Sequence, residues 1–313
     1  MISVSSLALI MDGTVTPGPA VPSHQQHPRD QCITFDDKEH KYTISHPLWL
    51  QRVADGTGTV SVTTMIHQLF PKFDGLAVAT RMVENITRKY QAWLSAGANA
   101  AATGEQPPPA PSYTVKETSY VGMTVPQILA AWEANGEHAS NLGTCFHQQV
   151  EDYLSGRGPP PVITQEFSYF LAFWRDFTAR YPTLSVYRLE WMVYDEDIGL
   201  AGSIDAVLSD PQGNLVILDW KRSKEIELNN RYRQGFSVFE QFDDCNWSHY
   251  QLQLNIYREI LERKYGKKII AMMNVVCHPN QAGYLCYPVS HIDLHNHWSL
   301  LPDLGRQHSA GRH

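Results

Sequence analysis

Short runs of alternating or helically spaced apolar residues predict the first elements of the chain. Residues 32–35 and 41–45 alternate like two short strands around a polar turn. Apolar positions at helical spacing predict a helix over residues 61–70 and a second one over about 76–95. The Ala- and Pro-rich stretch 95–112 is typical of a low-complexity insertion, and we expect it to form a surface loop.

The second half of the sequence changes from helical to strand-like patterning. Amphipathic spacing predicts further helices over residues 124–135, 140–154, 167–180 and 247–265. Short β-branched and aromatic runs predict strands over residues 185–194, 201–209, 215–221, 269–278 and 284–289. Turn sequences separate the first three of these strands, which predicts an antiparallel meander. The order of elements therefore predicts an α/β (α+β) fold, with a central mixed sheet flanked by helices.

Length and composition set the expected domain organisation. The chain has 313 residues, of which 43% are hydrophobic, enough for a packed core. Residues 1–30 mix Pro, Gly, Ser and His with little periodicity, so we expect a disordered N-terminal segment. The sequence then predicts one domain over residues 31–290 and a flexible tail over 291–313.

Charge and cysteine content narrow the class of protein. The chain carries 25 Lys and Arg against 32 Asp and Glu, a net charge of −7, which argues against coating nucleic acid by bulk charge but permits a local basic groove. Five scattered cysteines without a CxxC pair argue against a disulfide framework or a zinc ribbon. With no basic residue before the N-terminal apolar patch, the pattern predicts an intracellular protein that is not secreted. The longest apolar runs fall short of the roughly 20 residues that a membrane helix needs, so we expect no membrane partner.

The stretch most informative about chemistry combines Gly202-Ser-Ile-Asp205 with Asp219-Trp-Lys221. A turn between the two strands would place Asp205 nearly opposite Asp219, with Lys221 on the same face as Asp219. Two carboxylates held that close repel each other unless a divalent cation lies between them, and Mg²⁺ or Mn²⁺ prefers such oxygen ligands. The adjacent amine can orient or deprotonate a water, or stabilise charge on a phosphate.

A structural alternative treats the same residues as surface acids near a turn, with Lys221 in a simple ion pair. The apolar neighbours Ile217, Leu218 and Trp220 argue against it, because they predict a central strand, and a buried acid needs a partner or a metal.

Two helical pairs supply further candidate side chains. His147 and Glu151 are four residues apart and share one helix face, as do Gln253 and Tyr257. The first pair could join a metal site, and the second could hold a phosphate oxygen or fix Lys221. Judged by spacing alone, a solvated or amphipathic helix face explains each pair better.

Together these motifs resemble the PD-(D/E)XK nuclease superfamily in its RecB-like exonuclease branch, which includes CRISPR-adaptation exonucleases and the mitochondrial genome maintenance exonuclease. The strings GTCFH, GSID, DWK and QLNIY follow one another in the order typical of that branch. The longer strings SVTTMIHQLFPKFD and AGSID…DWKRSK are similar to a variant in nuclease-like proteins of large DNA viruses and protists. The resemblance covers roughly residues 33–290 and is strongest over 140–260.

The resemblance implies a restriction-endonuclease-like core and a role for each motif residue. It implies metal ligation by His147, Glu151, Asp205, Asp219 and the carbonyl of Trp220. It also implies a catalytic lysine at position 221, supported by Gln253 and Tyr257. Several members of the branch bind an iron–sulfur cluster through four cysteines, but the spacing of Cys277 and Cys286 does not fit that pattern, so we expect no cluster.

The sequence therefore predicts a Mg²⁺- or Mn²⁺-dependent deoxyribonuclease, an exonuclease acting on single strands or ends in DNA repair, recombination or replication. A locally basic segment after the lysine is a candidate for DNA binding through Arg222, Lys224, Arg231 and Arg233, although a solvated loop explains it equally well. No GxxxxGK[ST] motif is present, so a helicase or another replication or repair partner would come from a separate chain. The alternatives are a catalytically silent DNA-binding module on the same scaffold and a hydrolase of small phosphoesters.

Overall fold

A computed structural model describes residues 26–53 and 58–301. The helices are α1 (Pro47–Val53), α2 (Val62–Gln68), α3 (Gly75–Thr103), α4 (Val115–Thr118), α5 (Val125–Leu154), α6 (Gln165–Arg180) and α7 (Asn246–Tyr265). The strands are β1 (Ile33–Asp36), β2 (Lys41–Ile44), β3 (Val60–Ser61), β4 (Ser185–Asp195), β5 (Leu200–Ser209), β6 (Leu215–Lys221), β7 (Ile269–Val276) and β8 (Leu285–Pro288). The predicted fold class, α/β with a mixed sheet and flanking helices, is confirmed.

A six-stranded sheet forms the framework of the larger part of the chain. Its strand order is β3-β5-β6-β7-β8, and β4 pairs with β5 outside that path. The predicted meander is present, since β4, β5 and β6 are antiparallel neighbours. Helix α7 then crosses over so that β7 runs parallel to β6, as a helical connection between parallel strands requires. Strands β1 and β2 form a separate hairpin.

Helices cover both faces of the sheet and bury its apolar side chains. On one face, α2 and α7 enclose a cluster that includes Trp191, Ile217 and Leu252. On the other face, the end of α5 and α6 enclose a cluster that includes Phe146, Phe170 and Trp220. Strand β6 contributes alternate residues to both clusters, which makes it a central strand as its apolar run predicts.

Two helices are longer than their sequence patterns suggest. Helix α5 runs without a break from Val125 to Leu154, where two helices were predicted, because a glycine such as Gly136 costs a helix interior only about 1 kcal/mol relative to alanine. Helix α3 continues to Thr103, so the first half of the predicted loop 95–112 is helical. Alanine is the strongest helix former, and the stretch before Gly104 is rich in it.

Each end of the described chain contains a short 3-10 helix in a segment for which the sequence predicted no secondary structure. The predicted disordered segment 1–30 falls mostly on residues 1–25, which lie outside the described residues, but Pro28–Cys32 forms a 3-10 helix. The predicted flexible tail begins with a 3-10 helix, His295–Leu300, whose Trp298 is buried and donates to Asp195. Residues 302–313 lie outside the described part.

The chain divides into two compact units, one of residues 1–71 and 143–313 and one of residues 72–142. The smaller unit contains α3, α4 and the first part of α5, and Lys89 pairs with Glu117 within it at 2.7 Å. The prediction of a single nuclease domain over residues 31–290 stays a prediction. Over the residues that the structure describes, no helix has the length and apolar character that crossing a membrane demands.

Candidate metal centre and active site

The candidate site lies where β5 and β6 separate. Their last backbone pair is Ala206 with Leu218, and one position further the same register places Asp205 opposite Asp219, as predicted from the sequence. The Trp220 amide donates to Asp205 Oδ2 at 2.7 Å. A carboxylate therefore takes the place of a strand partner at the fork, and both acids are buried there.

A chain of polar contacts leads from Asp219 to helix α7. The Lys221 ammonium lies 2.7 Å from Asp219 Oδ2 and donates to Gln253 Oε1 at 2.8 Å. The amide of Gln253 in turn reaches the Tyr257 hydroxyl at 3.4 Å. Of the two possibilities left open by the sequence, this geometry favours a helix pair that fixes Lys221.

Gly202 is required by the close approach of Tyr257 to β5. A Cβ atom at residue 202 would lie 2.7 Å from Tyr257 Cε1 and 2.9 Å from its hydroxyl, closer than carbon atoms pack. The glycine of the GSID string therefore makes room for the residue that ends the polar chain.

His147 approaches the same corner from helix α5. Its Nδ1 atom lies 3.5 Å from Asp205 Oδ2. Within the described residues, one group of side chains has the composition and spacing to hold a metal ion: His147, Glu190 and Asp205, whose ligand atoms all lie within 4.8 Å of one another. Imidazole and carboxylate ligands suit Mn²⁺, and carboxylates suit Mg²⁺.

Glu190 is a site residue that the sequence analysis missed. It lies on β4, accepts a hydrogen bond from Ser203 Oγ at 2.9 Å and has a positive φ of 43°. Its neighbours Leu189 and Trp191 pack against opposite faces of the sheet, so the usual alternation of the strand is broken at this residue. Such backbone strain costs about 1–3 kcal/mol and concentrates at functional sites. In the sequence, the feature that could have indicated Glu190 is a single acid between two large apolar residues, Leu189 and Trp191.

The acids of the site respond to burial and to one another. Burial, with the charge of Asp205, raises the pKa of Glu190 to about 7. Burial also raises the pKa of Asp219 to about 6, against the opposing charge of Lys221. Burial would raise the pKa of Asp205 as well, but His147 and Lys221 lower it below its usual value. Against the effect of burial, the charge of Asp205 raises the pKa of His147 to about 9, so His147 and Lys221 both offset the three acids. A divalent cation would stabilise the negative charge that remains.

One buried polar group beside the acids lacks partners among the described residues. Asp219 Oδ2 has the Lys221 ammonium 2.7 Å away, but its neighbour on β7 has no such contact. Asn274 is the neighbour of Asp219 on β7, is 1% exposed, and neither its amide nitrogen nor its oxygen has a partner in the described chain. Orphaned buried polar atoms of this kind point to an absent ion or water, so the residues present fit a hydrated cation.

Other predicted residues have different surroundings. Glu151 contacts Arg157 at 3.2 Å and lies outside the metal group, so its ligand role stays a prediction. The ring of Trp220 is buried in the core and its amide serves Asp205, while the role of its carbonyl stays a prediction.

The four predicted DNA-binding cations fall into two kinds. Arg222 pairs with Glu166 at 2.8 Å, and Arg233 pairs with Asp244 at 3.0 Å, so both stabilise the loop after β6. Lys224 and Arg231 are exposed, and no ion pair joins them to another described residue.

Comparison with known proteins leaves the family open. No family model matches the sequence. No curated protein matches it either. Among solved structures, SSO0001 is 11% identical over 85% of both chains with a TM-score of 0.28. A structure described as a putative exonuclease from Eubacterium rectale is 14% identical over 55% of this chain and 69% of that chain, with a TM-score of 0.32. Because both TM-scores are low, the description of the fold and of the site depends only on the geometry of this chain.

Proposed function

We propose that the chain is a metal-dependent deoxyribonuclease of the RecB-like PD-(D/E)XK type, acting as an exonuclease on single strands or ends. The observation that carries this proposal is the meeting of four side chains from three elements, α5, β5 and β6. His147 lies 3.5 Å from Asp205, and Lys221 lies 2.7 Å from Asp219, at the fork between two strands. An acid pair, an imidazole and an amine in that arrangement suit phosphodiester hydrolysis.

The divalent cation would be held by His147, Glu190, Asp205 and Asp219. The excess acid charge and the unpartnered amide of Asn274, the neighbour of Asp219 on β7, support this assignment. A bound Mg²⁺ or Mn²⁺ would supply Lewis-acid stabilisation of the charge that builds up on the phosphate.

Lys221 would act on the attacking water or the phosphate, and Gln253 and Tyr257 would position that lysine. Hydrolysis forms a bond from a water oxygen to phosphorus and breaks the bond to the leaving oxygen, which takes a proton. Lys221 holds its amine beside the carboxylates, where it can orient the water or stabilise the phosphate. Gln253 holds that amine at 2.8 Å, and Tyr257 holds Gln253, so both act as positioning residues.

The test compares cleavage of labelled linear, circular and end-blocked DNA, single- and double-stranded, in Mg²⁺, Mn²⁺ or EDTA. We expect the native chain to degrade linear single strands only when a divalent cation is present. Asp219→Asn and Lys221→Met should each lower the rate by about 10²–10⁴-fold without unfolding the chain.

The matched control is Asp176→Asn, which neutralises an exposed acid on α6 and should cut at the native rate. Native-like cleavage by either site variant would contradict the assigned roles. DNA binding without cleavage under every condition would support the silent binding module instead. Cleavage of circular DNA would identify an endonuclease.

A further inference from the structure

Three partly exposed aromatic rings, one of them next to Lys221, have no role in the chemistry described above. Trp247 and Tyr250 are three residues apart on α7, and Tyr287 lies on β8. The Lys221 ammonium lies over the Tyr250 ring, 4.6 Å from its centroid. The centroids of Trp247 and Tyr287 are 5.5 Å apart. We call these three residues the aromatic platform.

The platform continues the line of functional residues along α7. Residues 247, 250, 253 and 257 follow the spacing of one helix face. At 1.5 Å per residue, Tyr250 lies about 4.5 Å and Trp247 about 9 Å along the helix axis from Gln253, which holds the lysine. The rings therefore begin beside the candidate catalytic amine and lead away from it.

The polar ends of these rings are not used by the protein. Among the described residues, none forms a hydrogen bond with the indole nitrogen of Trp247 or with the hydroxyls of Tyr250 and Tyr287. Each side chain is partly exposed, although Trp247 packs one edge against the core. Partly exposed aromatic rings held in place by a helix and a strand are the kind of side chain on which unpaired nucleobases stack.

We propose that the aromatic platform is a stacking subsite for unpaired bases of a single-stranded nucleic acid, next to the phosphate to be cut. This inference rests on the proposed function and specifies its substrate: a strand whose bases are free to stack. Tyr250 takes the base nearest Lys221, and Trp247 with Tyr287 takes the next. A base pair in a duplex keeps its faces stacked on its neighbours and does not fit this subsite.

The test measures binding of labelled single-stranded oligonucleotides to the full chain in EDTA, so that cleavage plays no part. Abasic nucleotides are introduced one position at a time. For the native chain, removing the bases that stack should weaken binding about 5- to 100-fold, while removing other bases has little effect. Tyr250→Leu should bind the intact strand correspondingly less tightly and should no longer respond to the abasic position.

Matched variants separate stacking from folding. Tyr250→Phe keeps a ring and should bind within about twofold of the native chain, since stacking needs the π face alone. Tyr90→Leu removes a tyrosine that is 46% exposed on α3, outside the platform and the basic segment, and should change nothing. Thermal unfolding of each variant checks that the fold is kept.

The outcomes are distinct. Native-like binding by Tyr250→Leu, an unchanged response to abasic positions, or no binding by the native chain would overturn the subsite. A native chain that binds through the platform yet cuts no DNA would overturn the proposed nuclease function and leave the subsite in place.

Discussion

Two groups of acids lie along β4, β5 and β6 and in the turn between β4 and β5, and they are neutralised in different ways. The turn cluster contains Asp195, Glu196 and Asp197 together with Arg29, Arg263 and Lys264. The site cluster contains Glu190, Asp205 and Asp219 together with His147 and Lys221. Every acid of the turn cluster, and the neighbouring Glu259, pairs with an arginine or a lysine. In the site cluster, Asp205 pairs with a histidine, and no ion pair joins Glu190 to a described residue.

The pKa values reflect this difference. In the turn cluster, burial alone would raise the pKa of Glu196, but Arg29 and Lys264 lower it to about 2. In the site cluster, burial raises the pKa of Asp219 to about 6 and that of Glu190 to about 7. Matched buried acids thus belong to the structural framework, and unmatched ones indicate a place for a bound cation.

The largest expected effect on stability comes from removing the arginine at position 29 from the turn cluster. Arg29 contacts Glu196, donates to the Tyr194 carbonyl at 3.2 Å and lies 4.1 Å from the centroid of the Tyr194 ring. Arg29→Ala leaves a buried carboxylate without its main partner and should lower the free energy of unfolding by about 3–5 kcal/mol. Urea unfolding of the native chain and of Arg29→Ala measures this difference in the free energy of unfolding. The control, Arg175→Ala, removes an exposed pair and should change stability by less than about 0.5 kcal/mol.

The same variant gives a pH test of the matched cluster. Folding lowers the pKa of Glu196 from 4.5 to about 2. The contribution of Glu196 to the free energy of unfolding is therefore complete above pH 4.5 and is lost as the pH falls toward 2. The stability gap between the native chain and Arg29→Ala should therefore shrink over that interval. A gap that stays constant down to pH 2 would show that the Arg29–Glu196 pair is not its source.

An intermediate effect is expected at Glu190. Glu190→Gln removes one acid from the site cluster and keeps the side chain's shape, so it should weaken metal affinity and lower cleavage about 10- to 100-fold. Stability should stay the same or rise, because a buried charge is removed. Glu151→Gln is the matched control, since that residue pairs with Arg157. If Glu151→Gln lost activity and Glu190→Gln did not, the ligand first predicted from the sequence would be the correct one.

The smallest expected effect concerns two buried asparagines with opposite surroundings. Asn274→Leu replaces an amide without protein partners and, measured in EDTA so that no bound cation is lost, should stabilise the chain by about 1–3 kcal/mol. Asn255 is equally buried, but it donates to the Gln251 and Ser290 carbonyls and accepts from the Ile292 amide. Asn255→Leu should therefore destabilise the chain by a similar amount. Thermal unfolding distinguishes them, and a loss of stability in both would mean that Asn274 has a partner.

Local patterns were enough to predict the meander and the approach of Asp205 to Asp219. Alternation and turn residues gave the meander, and an equal offset from the turn placed Asp205 opposite Asp219. Helical spacing placed Gln253 and Tyr257 on one face, where they hold Lys221. Each of these relations depends on residues that are close in sequence or joined by a short turn.

Contacts between distant segments could not be predicted in this way. Arg29 is 167 residues from Glu196, so nothing near it in the sequence marks it as ordered. Trp298 docks on Asp195 across 103 residues, which orders a segment that its composition suggests is flexible. Glu190 faces the site because the backbone breaks its alternation there, and a residue pattern that assumes regular alternation cannot show this.

Direct measurement of Mn²⁺ binding tests the central claim, that the unmatched acids hold a divalent cation. Electron paramagnetic resonance of the full chain titrated with Mn²⁺ should show saturable binding that weakens at least about tenfold in Asp205→Asn. Asp197→Asn, which removes an acid from the matched turn cluster, should bind like the native chain. No saturable binding by the native chain, or equal binding by Asp205→Asn, would contradict the account.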